Sequence, residues 1–184
     1  CVLAFDTDEF PRETTMDSLA KLRTVFRDNG SVTAGNSSGI NDGAAAVVVT
    51  TESKAKELGM KPRMRMLARA ESGVEPSLMG SGPIPAIEKV MERSGLTVED
   101  MDVIELNEAF ASVTAACSAV LNLPLDKTNP NGGAIALGHP VGATGAILTV
   151  KMMHELERTG GRYGLVSLCI GGGQGIATIF ERVS

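Results

Sequence analysis

A chain of 184 residues with 43% hydrophobic side chains is long enough to bury a core of its own. Its net charge of -5, its 3% aromatic content and its lack of tryptophan leave no basic patch for phosphates and argue against nucleic acid as a partner. The three cysteines, Cys1, Cys117 and Cys169, cannot close a disulfide set and have no metal-ligand spacing, which points to a reducing, cytoplasmic compartment and to no metal site.

The first apolar recurrence at helical spacing is Met16, Leu19, Leu22, Val25 and Phe26, behind the capping candidates Thr14 and Thr15, and it predicts a short helix. Residues 31–43 are rich in Gly, Ser and Asn and read as a loop. They lead into residues 44–49, Ala-Ala-Ala-Val-Val-Val, a buried-strand pattern far too short to span a bilayer, so no membrane segment is expected. A helix over residues 52–58, closed by Gly59, follows. The opening Cys1-Val2-Leu3, without an initiator Met, predicts a processed, truncated or partial polypeptide.

From Pro62 the order becomes regular. The pattern predicts a strand over 63–71, a helix over 83–93 stopped by Gly95, a strand over 102–106 and a helix over 108–121. A short extended piece near Thr128, a helix over 142–158 and strands over 164–169 and 176–181 complete it. Alternating strands and helices predict a largely parallel sheet covered by helices, with the last two strands joined as a hairpin through residues 170–175. Residues 62–184 thus read as a complete α/β domain, and residues 1–61 as the tail of another.

Two glycine-rich blocks carry the chemistry: NGGAIALGHPVGATG, residues 131–145, and LCIGGGQG, residues 168–175. Glycine lets a bulky ligand reach main-chain N–H groups. His139 precedes a proline, which favours extended geometry and displays the imidazole at a strand-to-helix junction, where open α/β sheets bind ligands. A loop histidine that only satisfies a hydrogen bond is the alternative. His154, among Met152, Met153 and Leu156, reads as a surface or packing residue.

Cys169 ends an apolar strand and faces Gly171-Gly172-Gly173, where a thiol could exchange protons while turn N–H groups meet a developing oxyanion. A small buried hydrophobe is the alternative, and Cys117 on its alanine-rich helix reads as packing. Asn107, at the end of a strand and before Glu108, reads by default as a helix cap; beside His139 and Cys169 it could also orient a water or a carbonyl. The stretch Ala34-Gly35-Asn36-Ser37-Ser38-Gly39 is a linker or a cradle for an amide-bearing ligand arm. No P-loop, serine elbow or dinucleotide fingerprint is present.

Taken jointly, NEAFA (residues 107–111), NGGAIALGHPVGATGA, LCIGGGQGIA, TAGNSSGINDGAAA and MGSGPIPA resemble the thiolases, the acetyl-CoA acetyltransferases and 3-ketoacyl-CoA thiolases of fatty acid metabolism and β-oxidation. The resemblance implies a βαβαβαββ layered half-domain with a mixed sheet over residues 62–184. It also implies the end of a loop domain over residues 1–42 and the last strand and helix of the N-terminal half over residues 43–61. By the same resemblance His139 activates a nucleophilic cysteine, and Cys169 removes or returns the α-carbon proton of acetyl-CoA. Asn107, through a bound water, and His139 form one oxyanion hole, and the Gly171 N–H donates to a second. Ala34 and Ser38 line the pantetheine, Phe26 and Leu22 the adenine, and Met79, Phe110 and Ile40 the acyl end.

The pattern departs from the family in one respect: no cysteine stands in the context of the nucleophile, and Cys1 opens a segment matching the loop domain. The implied partners are an acyl-CoA substrate, with coenzyme A as substrate and not as a tightly bound cofactor, and an N-terminal half carrying the nucleophile, within a dimer or tetramer. The competing reading is a non-catalytic CoA-binding or assembly module of a heteromeric complex.

Overall fold

The computed structural model describes residues 6–8 and 10–183. Cys1, and with it the reading of the first residues, lies outside the described residues. The regular body begins with β1 (Met64–Gly73) and continues through α3 (Pro83–Ser94), β2 (Val103–Leu106), α4 (Ala111–Leu121), the short α5 (Ala134–Leu137), α6 (Thr144–Thr159), β3 (Tyr163–Ile170) and β4 (Gln174–Arg182). Two short helices precede it, α1 (Met16–Ala20) and α2 (Glu52–Glu57).

The four strands form one sheet in the order β1-β4-β3-β2. Only β2 and β3 run parallel; β3 with β4 and β4 with β1 are antiparallel, so the sheet is mixed and not largely parallel. The reason is local. Three residues, Gly171 to Gly173, join β3 to β4, too few for a crossover, and β1 then pairs on the outer side of the resulting hairpin. The extended piece at Thr128 bridges in parallel to Ile104, which places it beside β2 and completes the βαβαβαββ order.

Both faces of the sheet are covered. Alternation along β3 sends Leu165 to one face, where it joins Ile87 and Val90 of α3, Val113 and Cys117 of α4, and Ile179 of β4. Val166 turns to the other face, against Leu148, Met152 and Leu156 of α6. Gly164 faces the same helix, and a Cβ there would run into Met152 Sδ, so this glycine sets how closely α6 lies on the sheet. The helix stops are as the sequence predicts: Gly59 and Gly95 follow α2 and α3 with φ of 64° and 70°.

Three further expectations are corrected. The helix predicted over residues 16–26 ends at Ala20; Met16, Leu22, Val25 and Phe26 are exposed, so no buried face sustains further turns, and Thr24 instead bridges to Thr33. Residues 44–49 form no strand, and Val48 and Val49 are about 80% exposed, because no described strand lies alongside to take their backbone hydrogen bonds. The helix predicted from Glu108 starts at Ala111, so Asn107 is not its cap. Among the described residues no helix is long and apolar enough to cross a membrane.

Replacing Gly164 with Ala should destabilise the protein by about 1–3 kcal/mol, the usual cost of forcing a methyl into a packed core. Equilibrium denaturation checks this, with a shifted midpoint at unchanged slope as the expected result.

Candidate active site

The parallel pairing of β2 with β3 sends both strands out at one edge of the sheet. There the Asn107 N–H donates to Ser167 O at 2.9 Å, continuing the ladder one residue past β2, and its side chain is 1% exposed. Cys169 lies two residues further along β3, half-buried, with Gly171 to Gly173 beyond it.

His139 reaches this edge from the loop between α5 and α6. Glu108 anchors that loop: its carboxylate accepts from Asn129 Nδ2 at 2.9 Å and from the Ile135 N–H at 3.3 Å, and lies where a Cβ on Gly133 would sit. From the other side, Ile40 bridges to His139 and Asn41 Oδ1 accepts the His139 N–H at 3.2 Å. The Ser38 N–H donates to Ala109 O at 3.0 Å, so the 31–43 loop is fastened to both motif segments.

The imidazole is held at both nitrogens. Nδ1 lies 2.7 Å from Thr144 Oγ1, whose hydroxyl is also 2.9 Å from Pro140 O. Nε2 lies 3.3 Å from Asn107 Nδ2, while Asn107 Oδ1 has no hydrogen-bond partner among the described residues. Burial pushes the imidazole below its ordinary value and keeps it neutral. The same effect raises the Cys169 thiol, and Cys117, buried in the core, is pushed up to about 11 by burial and by the neighbouring Cys169. At rest the site holds a neutral imidazole and a neutral thiol.

His139, Cys169 and Gly171 line one cavity of about 400 Å³, together with Met79, Ala109 and Val141. A larger cavity of about 710 Å³ takes in Asn107 and Thr144 but neither His139 nor Cys169, so the titratable pair belongs to the smaller space. The three glycines of the turn differ. Gly172 and Gly173 have φ of 85° and 86°, and a Cβ on Gly173 would strike Val74 O. Gly171 meets neither demand: its φ is not positive and a Cβ would meet nothing within 4 Å, so its bare backbone is open to a ligand.

The other predicted contacts gather around this centre without lining the cavity. Phe110 stacks edge-on against Phe26 at 6.3 Å between ring centroids. Leu22 lies over Gly35, next to Ala34, and Ile40 is 100% exposed beside His139. His154 is at the surface near Arg63 and Glu157, as its position in α6 suggests. Three residues that shape the site carry no recognised signal in the sequence. Thr144 could be flagged by its place in the first turn after His-Pro, whereas Asn41 and Glu108 act over distances that leave no local signal. No group of three metal-ligating side chains stands together among the described residues.

The family described as "Thiolase, C-terminal domain" matches residues 60–182, and "Thiolase, N-terminal domain" matches residues 2–53. The chain is 55% identical to the beta-ketothiolase BktB of Cupriavidus necator over 98% of its own length and 46% of that protein's. To the acetyl-CoA acetyltransferase of Allochromatium vinosum it is 56% identical over 97% of its length and 46% of the other's. The crystal structure of human mitochondrial 3-ketoacyl-CoA thiolase in complex with CoA superposes with a TM-score of 0.94 at 48% identity, over 98% of this chain and 46% of that one. The chain thus spans about half the length of the relatives it matches.

The His139 imidazole should titrate below 6.5 by NMR, since burial disfavours its charged form. In the window between that midpoint and 6.5 the unfolded chain binds more protons than the folded one, so stability should fall as the pH is lowered through it. A midpoint above 6.5 would contradict a buried, neutral imidazole.

Proposed function

Because the chain belongs to the thiolase family, we propose that it is the C-terminal part of a thiolase, supplying acid and base for Claisen condensation of two acetyl-CoA or thiolysis of a 3-ketoacyl-CoA. The observation that carries this reading is the shared cavity: one neutral imidazole and one neutral thiol face a common space beside a glycine whose backbone is open. Two uncharged groups of this kind suit a reaction in which protons leave and return within each turnover.

In this reading the nucleophilic cysteine comes from the N-terminal half, and His139 Nε2 takes its proton as it attacks the thioester of the first acetyl-CoA. Cys169 protonates the departing CoA thiolate and is left as a thiolate. That thiolate removes the α-proton of the second acetyl-CoA, and the resulting carbanion attacks the acyl-enzyme to form acetoacetyl-CoA and release the nucleophile as a thiolate, which takes its proton back from His139. The elevated pKa of Cys169 serves both steps, since the thiol is the resting form and its conjugate base is strong. Asn107 through a water, together with His139 once it is protonated, forms one oxyanion hole, and the N–H of Gly171 donates to the second. Coenzyme A enters and leaves as substrate. Ala34, Ser38, Leu22 and Phe26 form the surface for its arm and adenine, and Met79, Phe110 and Ile40 flank the acyl end.

The division is residues 1–42 as the end of the loop domain, residues 43–61 as the last strand and helix of the first half, and residues 62–184 as the C-terminal domain. Residues 44–49 gain their sheet partners only from that first half, and the exposed Val47, Val48 and Val49 are the surface it covers. The complete protein is a cytoplasmic dimer or tetramer acting in fatty acid metabolism.

Two measurements test this. The 184-residue chain alone should not cleave acetoacetyl-CoA with added CoA, and should do so once the nucleophile-bearing half is supplied; substantial turnover by the chain alone would refute the division of the site. In the assembled protein, C169A should abolish exchange of acetyl-CoA methyl protons with D₂O and lower condensation by at least about 100-fold, the low end for a positioned acid–base group, while radioactive acetyl-CoA still labels the other cysteine. Equal loss of labelling and of condensation would count against the role given to Cys169.

A further inference from the structure

We infer that Thr144 is the positioning residue of this site, the third member of a His139–Thr144–Pro140 relay that fixes which imidazole nitrogen carries the proton; the inference rests on the reading of His139 as the base. A histidine base works only if its acceptor nitrogen faces the proton to be removed, and the partner of the other nitrogen sets this. No charged group among the described residues fills that role. The hydrogen-bond partner they offer at Nδ1 is Thr144 Oγ1 at 2.7 Å, 3% exposed and placed by the first turn of α6.

In that reading the direction of the relay is set by the base: a ring that accepts a proton at Nε2 carries its own on Nδ1. Thr144 Oγ1 then accepts from Nδ1 and can turn its own proton toward Pro140 O at 2.9 Å, a carbonyl that cannot donate in return. The Pro140 carbonyl is itself firmly held. It also accepts from the backbone N–H groups of Ala143 at 2.8 Å and Thr144 at 2.9 Å, so the oxygen is fixed by the same turn that starts α6. The other end of the ring is consistent, since Asn107 Nδ2 donates to the unprotonated Nε2.

A neutral hydroxyl orients the ring without the stabilisation that a carboxylate would give to the imidazolium. Burial can then hold the imidazole neutral between turnovers, as the depressed pKa of His139 requires. The carboxylate nearest in sequence to Asn107 is engaged elsewhere: Glu108 is tied to Asn129 and Ile135. Thr144 does not line the cavity that holds His139 and Cys169.

The test uses ¹⁵N-histidine NMR and steady-state kinetics on the assembled protein, with the His139 signals assigned by comparison with H154Q. The wild-type imidazole should show the proton on Nδ1 at about pH 8, above the ordinary histidine range, and a proton on Nε2 overturns the inference without any variant. T144V, nearly the same shape, should lose the Nδ1–H population and lower kcat by roughly 10- to 100-fold, part of what a positioned proton-transfer group contributes. KM for acetyl-CoA should change less than about twofold, because the binding contacts are intact. T144S, which keeps the hydroxyl, should restore both the tautomer and the rate. If T144V keeps the Nδ1–H population and the rate, Thr144 does not position the ring. If the population is lost and the rate is intact, the inference falls together with the reading of His139 as the base.

Discussion

Everything at the site depends on the parallel register of β2 with β3, in which Val103 to Leu106 pair with Gly164 to Ser167. Parallel strands finish at the same edge, so Asn107 and Cys169 emerge together although they lie far apart in the sequence. The antiparallel return of β4 then puts the turn containing Gly171 at that edge as well. A slip of one residue would turn Cys169 from the α3–α4 side to the α6 side and bring a side chain other than Gly164 against Met152, so core packing fixes the chemistry through the register. The ion pairs of Arg65 and Arg162 with Glu181 lie at the opposite end of the strands and tie the sheet there without entering the site.

The sheet alone does not place the histidine. Its loop is held from below by the Glu108 carboxylate, from above by Asn41 and from behind by Thr144, three side chains from three separate stretches of the chain. Glycine is needed where these approach: Gly133 makes room for Glu108, and Gly138, at φ of 94°, for Asn41. The histidine block is glycine-rich in part because it is clamped, whereas the openness of Gly171 answers to no packing demand among the described residues. Burial then acts on His139 and Cys169 in opposite directions with one outcome, a pair uncharged before substrate arrives.

The strands and helices after Pro62 are legible in the sequence because each carries its own periodicity and stop signal; Gly95 and the apolar run before Cys169 are examples. The pairing of β1 with β4 is not, since strand order depends on which edge stays free after the hairpin closes and has no local signature. Residues 44–49 read as a strand from their composition, yet an apolar run becomes a strand only beside another strand. Asn107 reads first as a cap because Asn before Glu usually is one. The helix starts at Ala111 instead, and the amide faces His139. Thr144 has only its place in the first turn after His-Pro to mark it, and its contact with His139 Nδ1 requires coordinates.

The most direct test of the shared site is a crystal structure of the assembled protein with acetyl-CoA. The acetyl group is expected inside the cavity shared by His139, Cys169 and Met79, with the methyl carbon within van der Waals contact of Cys169 Sγ and the thioester oxygen about 3 Å from a water held by Asn107. An acetyl group bound outside that cavity, or His139 and Cys169 directed to separate spaces around it, would contradict the central claim that one substrate is served by both.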